Sequence, residues 1–182
     1  MKEAAPHVSQ AGSLAEPEAA VAIIRCRFPR ESILLLRRIQ SDRDPWSGHY
    51  AFPGGRRERQ DETIYDTCVR EVFEETGIDL GSDNLSQILP PARAGRNVMA
   101  PVLVQPYVFE IGIRPEVLVE EKEIESYLWL SVASFTKAEK HRCVEVLPGM
   151  RRPVFPLNDY YVWGFTYGLL CSYFDFEPRN LQ

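Results

Sequence analysis

Three glutamates and an arginine crowd one short stretch of this chain, Arg70-Glu71-Val72-Phe73-Glu74-Glu75-Thr76-Gly77-Ile78, behind the turn Phe52-Pro53-Gly54-Gly55. Like charges one helical turn apart repel by roughly 0.2–0.5 kcal/mol per pair. A sequence that gathers them beside an apolar stripe is therefore read as preparing for a cation. The donors are all hard oxygens, which points to Mg²⁺ or Mn²⁺ rather than zinc. At 100° per residue, Glu71 and Glu75 fall on adjacent turns with Glu74 to one side. Arg70 can orient carboxylates through a bidentate contact. Gly54 and Gly55 allow close backbone approach, and their carbonyls can complete a metal shell.

A rigid element has to hold these groups. Tyr65, Cys68, Val69, Val72, Phe73 and Thr76 recur at helical spacing, predicting a helix over 63–76. Asp61 or Thr63 caps its start, and Gly77 followed by Ile78 stops it. Upstream, residues 19–27 and 33–38 read as strands joined by a hairpin turn at 28–31. Residues 40–48 read as a loop and 50–52 as a short strand. Downstream, 90–97 reads as a loop, 101–111 as a central strand and 127–130 as another, after the acidic segment 120–125. A short helix is placed within 132–141 and an amphipathic helix over 158–174. Strands interleaved with two main helices imply an α/β fold, a mixed β-sheet in an α/β/α sandwich.

The whole chain sets bounds. With 182 residues, it fits one domain at 18–176 between a flexible N-terminal tail, 1–17, and a C-terminal tail, 177–182. Its 45% hydrophobic and 26% charged residues are ordinary for a globular protein. A net charge of -5 without a basic stripe argues against nucleic acid and anionic membranes as partners. No apolar run is long enough to span a bilayer. Cys26, Cys68, Cys143 and Cys171 form no C-x-x-C pair, and together with a plain N-terminus they suit a reducing cytoplasm.

These residues resemble the Nudix box, G-x5-E-x7-R-E-U-x-E-E-x-G-U, with U a bulky aliphatic residue. Arg70, Glu71, Val72, Glu74, Glu75, Gly77 and Ile78 match its second half. Six residues rather than five separate Gly55 from Glu62, while Glu62 to Arg70 keeps the expected spacing. One extra residue after the glycines is similar to the coenzyme A pyrophosphatase branch of that family. The lead-in Asp44-Pro45-Trp46-Ser47-Gly48-His49-Tyr50-Ala51, the strand Pro106-Tyr107-Val108-Phe109 and Trp163-Gly164-Phe165-Thr166 resemble that branch too. His49-Tyr50 stands where the branch tends to have Gln-Val, and Arg56-Arg57-Glu58-Arg59-Gln60-Asp61 replaces its Asp-rich stretch.

The resemblance implies hydrolysis of a nucleoside diphosphate linked to another group, with coenzyme A or a derivative leading. Nucleoside diphosphate sugars, ADP-ribose and dinucleoside polyphosphates are the alternative substrates, and a non-catalytic nucleotide sensor is the non-enzyme alternative. It also implies roles. Glu71 and Glu75 are the principal ligands of Mg²⁺ or Mn²⁺, Glu74 assists, Gly55 contributes a carbonyl, and Arg70 holds the glutamates. A further glutamate, Glu123, with Glu121 and Glu125 as rivals, serves as metal ligand or general base. Of the arginines near these segments (Arg37, Arg38, Arg56, Arg57, Arg93, Arg96), Arg37, Arg56 and Arg96 are taken as substrate-binding. Trp46, Tyr107 and Trp163 are candidates for stacking on a base. Enzymes of the family are often dimers, so a homodimer is among the expected assemblies.

Overall fold

A computed structural model describes residues 15–40, 47–95 and 101–178. Arg96, Trp46, most of the N-terminal tail and the last four residues lie outside the described residues. The elements run β1 (Ala19–Phe28), β2 (Ser32–Arg38), β3 (Tyr50–Ala51), β4 (Gly54–Arg56), α1 (Ile64–Thr76), β5 (Leu85–Ile88) and β6 (Ala92–Ala94). They continue through β7 (Val102–Ile113), β8 (Ile124–Ser131), α2 (Val132–Phe135), β9 (Arg142–Leu147), β10 (Met150–Pro156), β11 (Tyr161–Val162) and α3 (Gly164–Tyr173).

The main sheet is mixed, in the order β3-β2-β1-β7-β5, with β4 beside β1, β6 beside β7 and β8 beside β2. Strands β1 and β7 run parallel over most of their length, and the other pairings are antiparallel. Side chains alternate across each strand, so β1 serves two cores. Ala20, Ala22 and Ile24 pack with Leu34, Leu36, Cys68, Val72 and Phe109 under α1. Ile23 joins Ile33, Leu35, Phe135, Phe155 and Leu170 on the face of α2 and α3. This is the α/β/α layering expected from the sequence.

Helix α1 begins at Thr63, whose hydroxyl accepts from Asp66 N–H while the Asp66 carboxylate accepts from Thr63 N–H at 2.7 Å. It ends at Gly77, left-handed at φ 68°, whose N–H reaches Phe73 O at 2.8 Å. Thr63 is therefore the cap, which leaves Asp61 for another task. Phe73, read with the apolar stripe, is 58% exposed. It lies one residue beyond the buried Val72, and 100° of rotation carries it out of the core.

The C-terminal helix is shorter than its periodicity predicts. Residues 161–162 pair with β10 as β11, and the helix starts only at Gly164, whose φ of 63° turns the chain. Strands β9 and β10 form a hairpin that joins β11 in a second, three-stranded sheet. Within the expected helix at 132–141, α2 covers four residues and a single 3-10 turn spans Ala138–Lys140.

Candidate active site

The glycine turn comes first. Gly54 sits at φ 142°, and a Cβ there would lie 2.2 Å from Ala20 O, inside the sheet. Only glycine lets β4 run this close to β1. Its N–H, facing the helix, donates to Glu75 Oε2 at 2.8 Å. Gly55, paired with Ala20, leaves a space filled by the next carboxylate up the helix. A Cβ on Gly55 would fall 2.5–2.6 Å from the carboxyl atoms of Glu71. Gly55→Ala therefore displaces the flexible Glu71 carboxylate more than the backbone. Activity should fall at least about tenfold while the urea midpoint stays near that of the parent. Paired kinetics and denaturation check this, and an unchanged rate would separate Glu71 from the chemistry.

Arg70 is the hub. Its Nε and Nη2 donate to the two oxygens of Asp61 at 2.9 and 3.0 Å, a bidentate pair. Its Nη1 donates to Glu71 Oε1 at 3.0 Å and to Glu74 Oε2 at 2.9 Å. Asp61 is fixed in turn: it is buried and accepts from Glu58 N–H at 2.8 Å and from the Thr67 hydroxyl at 2.9 Å. The Arg70 guanidinium and these donors hold its carboxyl well below the usual carboxylate range. Arg57 braces the same loop, donating to Glu62 O at 2.6 Å and Asp61 O at 3.2 Å.

This corrects the placement of the box acid. Exactly five residues lie between Gly55 and Asp61, so Asp61 occupies the position of the first box glutamate, and its side chain grips Arg70. The extra residue lies between that acid and Arg70, not in the glycine loop. Glu62, which the arginine spacing favours, is exposed and engages Arg57 through its carbonyl. The motif specifies glutamate at this position, and that hid the role of Asp61.

Burial sets the charge of the other carboxylates. Glu75 is only 5% exposed, and desolvation pushes its carboxyl up to about 8, opposed by the Gly54 N–H and raised further by Glu71. Glu71 is also raised, by burial first and then by Glu74 and Glu123, against the pull of Arg70. Glu123 thus acts on both helix carboxylates, and its carbonyl accepts from Ile39 N–H at 2.8 Å at the end of β2. Its rival Glu125 lies 3.4 Å from Arg37, across the sheet.

The arginines sort differently from expectation. Arg38, not Arg37, is on the α1 side, with Nη1 3.9 Å from Glu75 Oε1. Strand alternation turns Arg37 to the opposite face. There it pairs with Asp159 at 2.7 Å and lies over the Tyr50 and Tyr160 rings, at the far side of the sheet from the carboxylates. Arg56 is exposed beside the glycines, 4.0 Å from Glu18. Tyr107 is buried under α1 and closed to a base, and Trp163 is half-buried at the start of α3.

Among the described residues no three His, Cys, Asp or Glu side chains are gathered in metal-binding geometry. Arg70 and Gly54 hold the carboxylates instead. The donors nonetheless fit a hard divalent cation: an all-oxygen set, a desolvated Glu75, and a Glu71 carboxylate seated in the hollow left by Gly55.

A NUDIX domain model matches residues 16–146. The chain belongs to the NUDIX domain family. Two relatives of the domain are the peroxisomal coenzyme A diphosphatase ndx-8 of Caenorhabditis elegans and the mitochondrial coenzyme A diphosphatase NUDT8 of Mus musculus. The first is 29% identical over 143 residues, 76% of this chain and 58% of its own. The second is 25% identical over 158 residues, 82% of this chain and 73% of its own. The chain spans between 36% and 73% of the length of the curated relatives it matches. A MutT/nudix family protein from Enterococcus faecalis superposes with a TM-score of 0.65 at 18% identity, covering 92% of this chain and 64% of that one. That likeness covers more of the chain than the segment matched by the domain model.

Proposed function

We propose that this Nudix domain is a Mg²⁺- or Mn²⁺-dependent pyrophosphohydrolase that divides a nucleoside diphosphate from a linked group, with coenzyme A or a derivative as substrate. The observation that carries it is the Arg70 hub. One guanidinium, anchored by Asp61, aligns Glu71 and Glu74 beside the buried Glu75. A non-catalytic sensor has no need of all three glutamates on so fixed a frame.

Glu71, Glu74 and Glu75, with the Gly55 carbonyl, would hold the cation. When bound, it neutralises phosphate oxygens and lowers the pKa of water. Glu123 faces the same carboxylates and takes the proton of the attacking water. The water oxygen joins one phosphorus, and the bridging oxygen leaves on the other phosphate. The coenzyme A assignment draws on the names of the two diphosphatase relatives and on the one-residue excess in the box.

A panel of coenzyme A, ADP-ribose, nucleotide sugars and diadenosine polyphosphates, each with Mg²⁺ and Mn²⁺, tests this. The expected products from coenzyme A are phosphopantetheine and 3′,5′-ADP. Turnover of another panel member in preference would move the substrate. No turnover of any of them would remove the enzyme reading.

A further inference from the structure

We propose that Glu120 is a positioning residue: it closes the turn that sets Glu123 beside the end of α1, facing Glu71 and Glu75. The inference rests on the hydrolase reading for the task of Glu123; the hydrogen bonds stand apart from it.

Glu123 is exposed, and among the described residues no hydrogen bond or ion pair of its own side chain fixes it. A carboxylate with a task beside α1 must then be aimed by its backbone. The Glu120 carbonyl accepts from Glu123 N–H at 3.0 Å and Ile124 N–H at 2.9 Å, a single helical turn, and Glu120 Oε1 accepts from Lys122 N–H at 3.2 Å. This is the arrangement of an N-cap, with the side chain taking the N–H two residues on.

The turn is tied to the helix. Glu120 N–H donates to Glu75 O at 3.3 Å, and Leu118 N–H donates to Thr76 O at 2.8 Å. Those carbonyls belong to the last turn of α1, where no helical partner exists. Val117 packs in the core under α1, and the Leu118 Cβ lies 3.3 Å from where a Cβ on Gly77 would fall. Glu120 is thus bonded to the backbone of the residue that carries the buried carboxylate.

The far end is tied to the sheet. Glu123 O accepts from Ile39 N–H at 2.8 Å, while Ile124 pairs with Arg38 and is buried in the same core. A register shift between Arg37 and Arg38 separates Ile124 from Glu125, which lies with Arg37 on the other face. Glu120 is a brace rather than a ligand, because the Lys122 N–H needs an acceptor oxygen and not a charge.

The test pairs amide hydrogen exchange of the metal-free full chain with steady-state kinetics on whichever diphosphate is turned over. Glu120 is exposed, so its replacement should leave the core intact. Glu120→Ala should speed exchange about fivefold at the Glu123 and Ile39 amides and leave Val72, in mid-helix, unchanged. It should lower kcat about tenfold at constant KM. Glu120→Gln keeps an oxygen and should rescue both. In a Glu123→Gln background, Glu120→Ala should cost nothing further, because it acts through Glu123. Unchanged exchange at Ile39 in Glu120→Ala overturns the proposal, as does a loss of protection that spreads to Val72. So does a Glu120→Gln variant as impaired as Glu120→Ala, or a full tenfold loss on top of Glu123→Gln. The expected exchange pattern with no diphosphate hydrolysed would strike the hydrolase reading alone and leave the hold on Glu123 standing.

Discussion

Replacing Glu75 by glutamine should lower metal-dependent turnover by roughly 10²–10⁴-fold, the several kcal/mol that a bound cation contributes to a phosphoryl transition state. The fold should survive. Glutamine keeps an oxygen for the Gly54 N–H, and the group it replaces is a buried acid held up to about 8. That shift fixes the sign of the pH dependence. The folded protein retains a Glu75 proton that the unfolded chain releases above about 4.5. Glu75 therefore lowers the stability of the metal-free protein as pH rises from about 4.5 through about 8. In chelator, the Glu75→Gln variant should lack this loss and be the more stable of the two at pH 9. Metal binding needs the anion, so affinity in the parent should climb with pH over the same window. Steady-state kinetics and urea denaturation at pH 6 and 9 read all three effects. Full activity in the variant would remove Glu75 from the site.

Asp61→Asn carries the second large effect. It breaks a buried ion pair from one side and turns an amide toward the Arg70 guanidinium, which costs about 3 kcal/mol. Turnover should fall a further 10–100-fold relative to a merely destabilised protein, because Arg70 no longer holds Glu71 and Glu74 in place. The carboxyl is held far below its ordinary 3.8. Its contribution is complete above that ordinary value and disappears only as pH falls through the lower folded one, so the deficit should be constant across neutral pH. Glu62→Gln is the control, and it should change stability by no more than about 0.5 kcal/mol. If Glu62→Gln is the damaging change and Asp61→Asn the silent one, the box acid is Glu62 after all.

Much of this was legible in the sequence. The glutamate-bearing helix, its glycine stop, the β1–β2 hairpin and the long β7 strand all declare themselves through apolar period and turn residues. The layering followed from their alternation. What escaped detection was structure fixed by pairing rather than pattern. Strands β4, β5 and β6 are three or four residues long and exist because β1 and β7 offer them partners. The β9–β10 hairpin alternates weakly, and β11 hid inside a helical-looking run that Gly164 cuts short. At the site, the glutamates were readable from type and spacing. Arg37 and Arg38 are neighbours of one chemistry, and only the strand's pleat assigns them to opposite faces. Asp61 went unread because a motif written for glutamate draws the eye to Glu62.

The Arg70 hub has a consequence for how the protein exists between catalytic events. A cluster of acids awaiting a divalent ion would push itself apart if left bare. Here a built-in cation bridges two helix carboxylates and offsets part of their charge, and its own position is secured by a third acid outside the cluster. Repulsion on this face is thus reduced without an ion but not removed, since Glu71 and Glu75 are still raised by burial and by their acidic neighbours. On the proposed reading, an incoming ion would compete with a resident counter-charge instead of filling a void, so its loss would leave the helix held by Arg70.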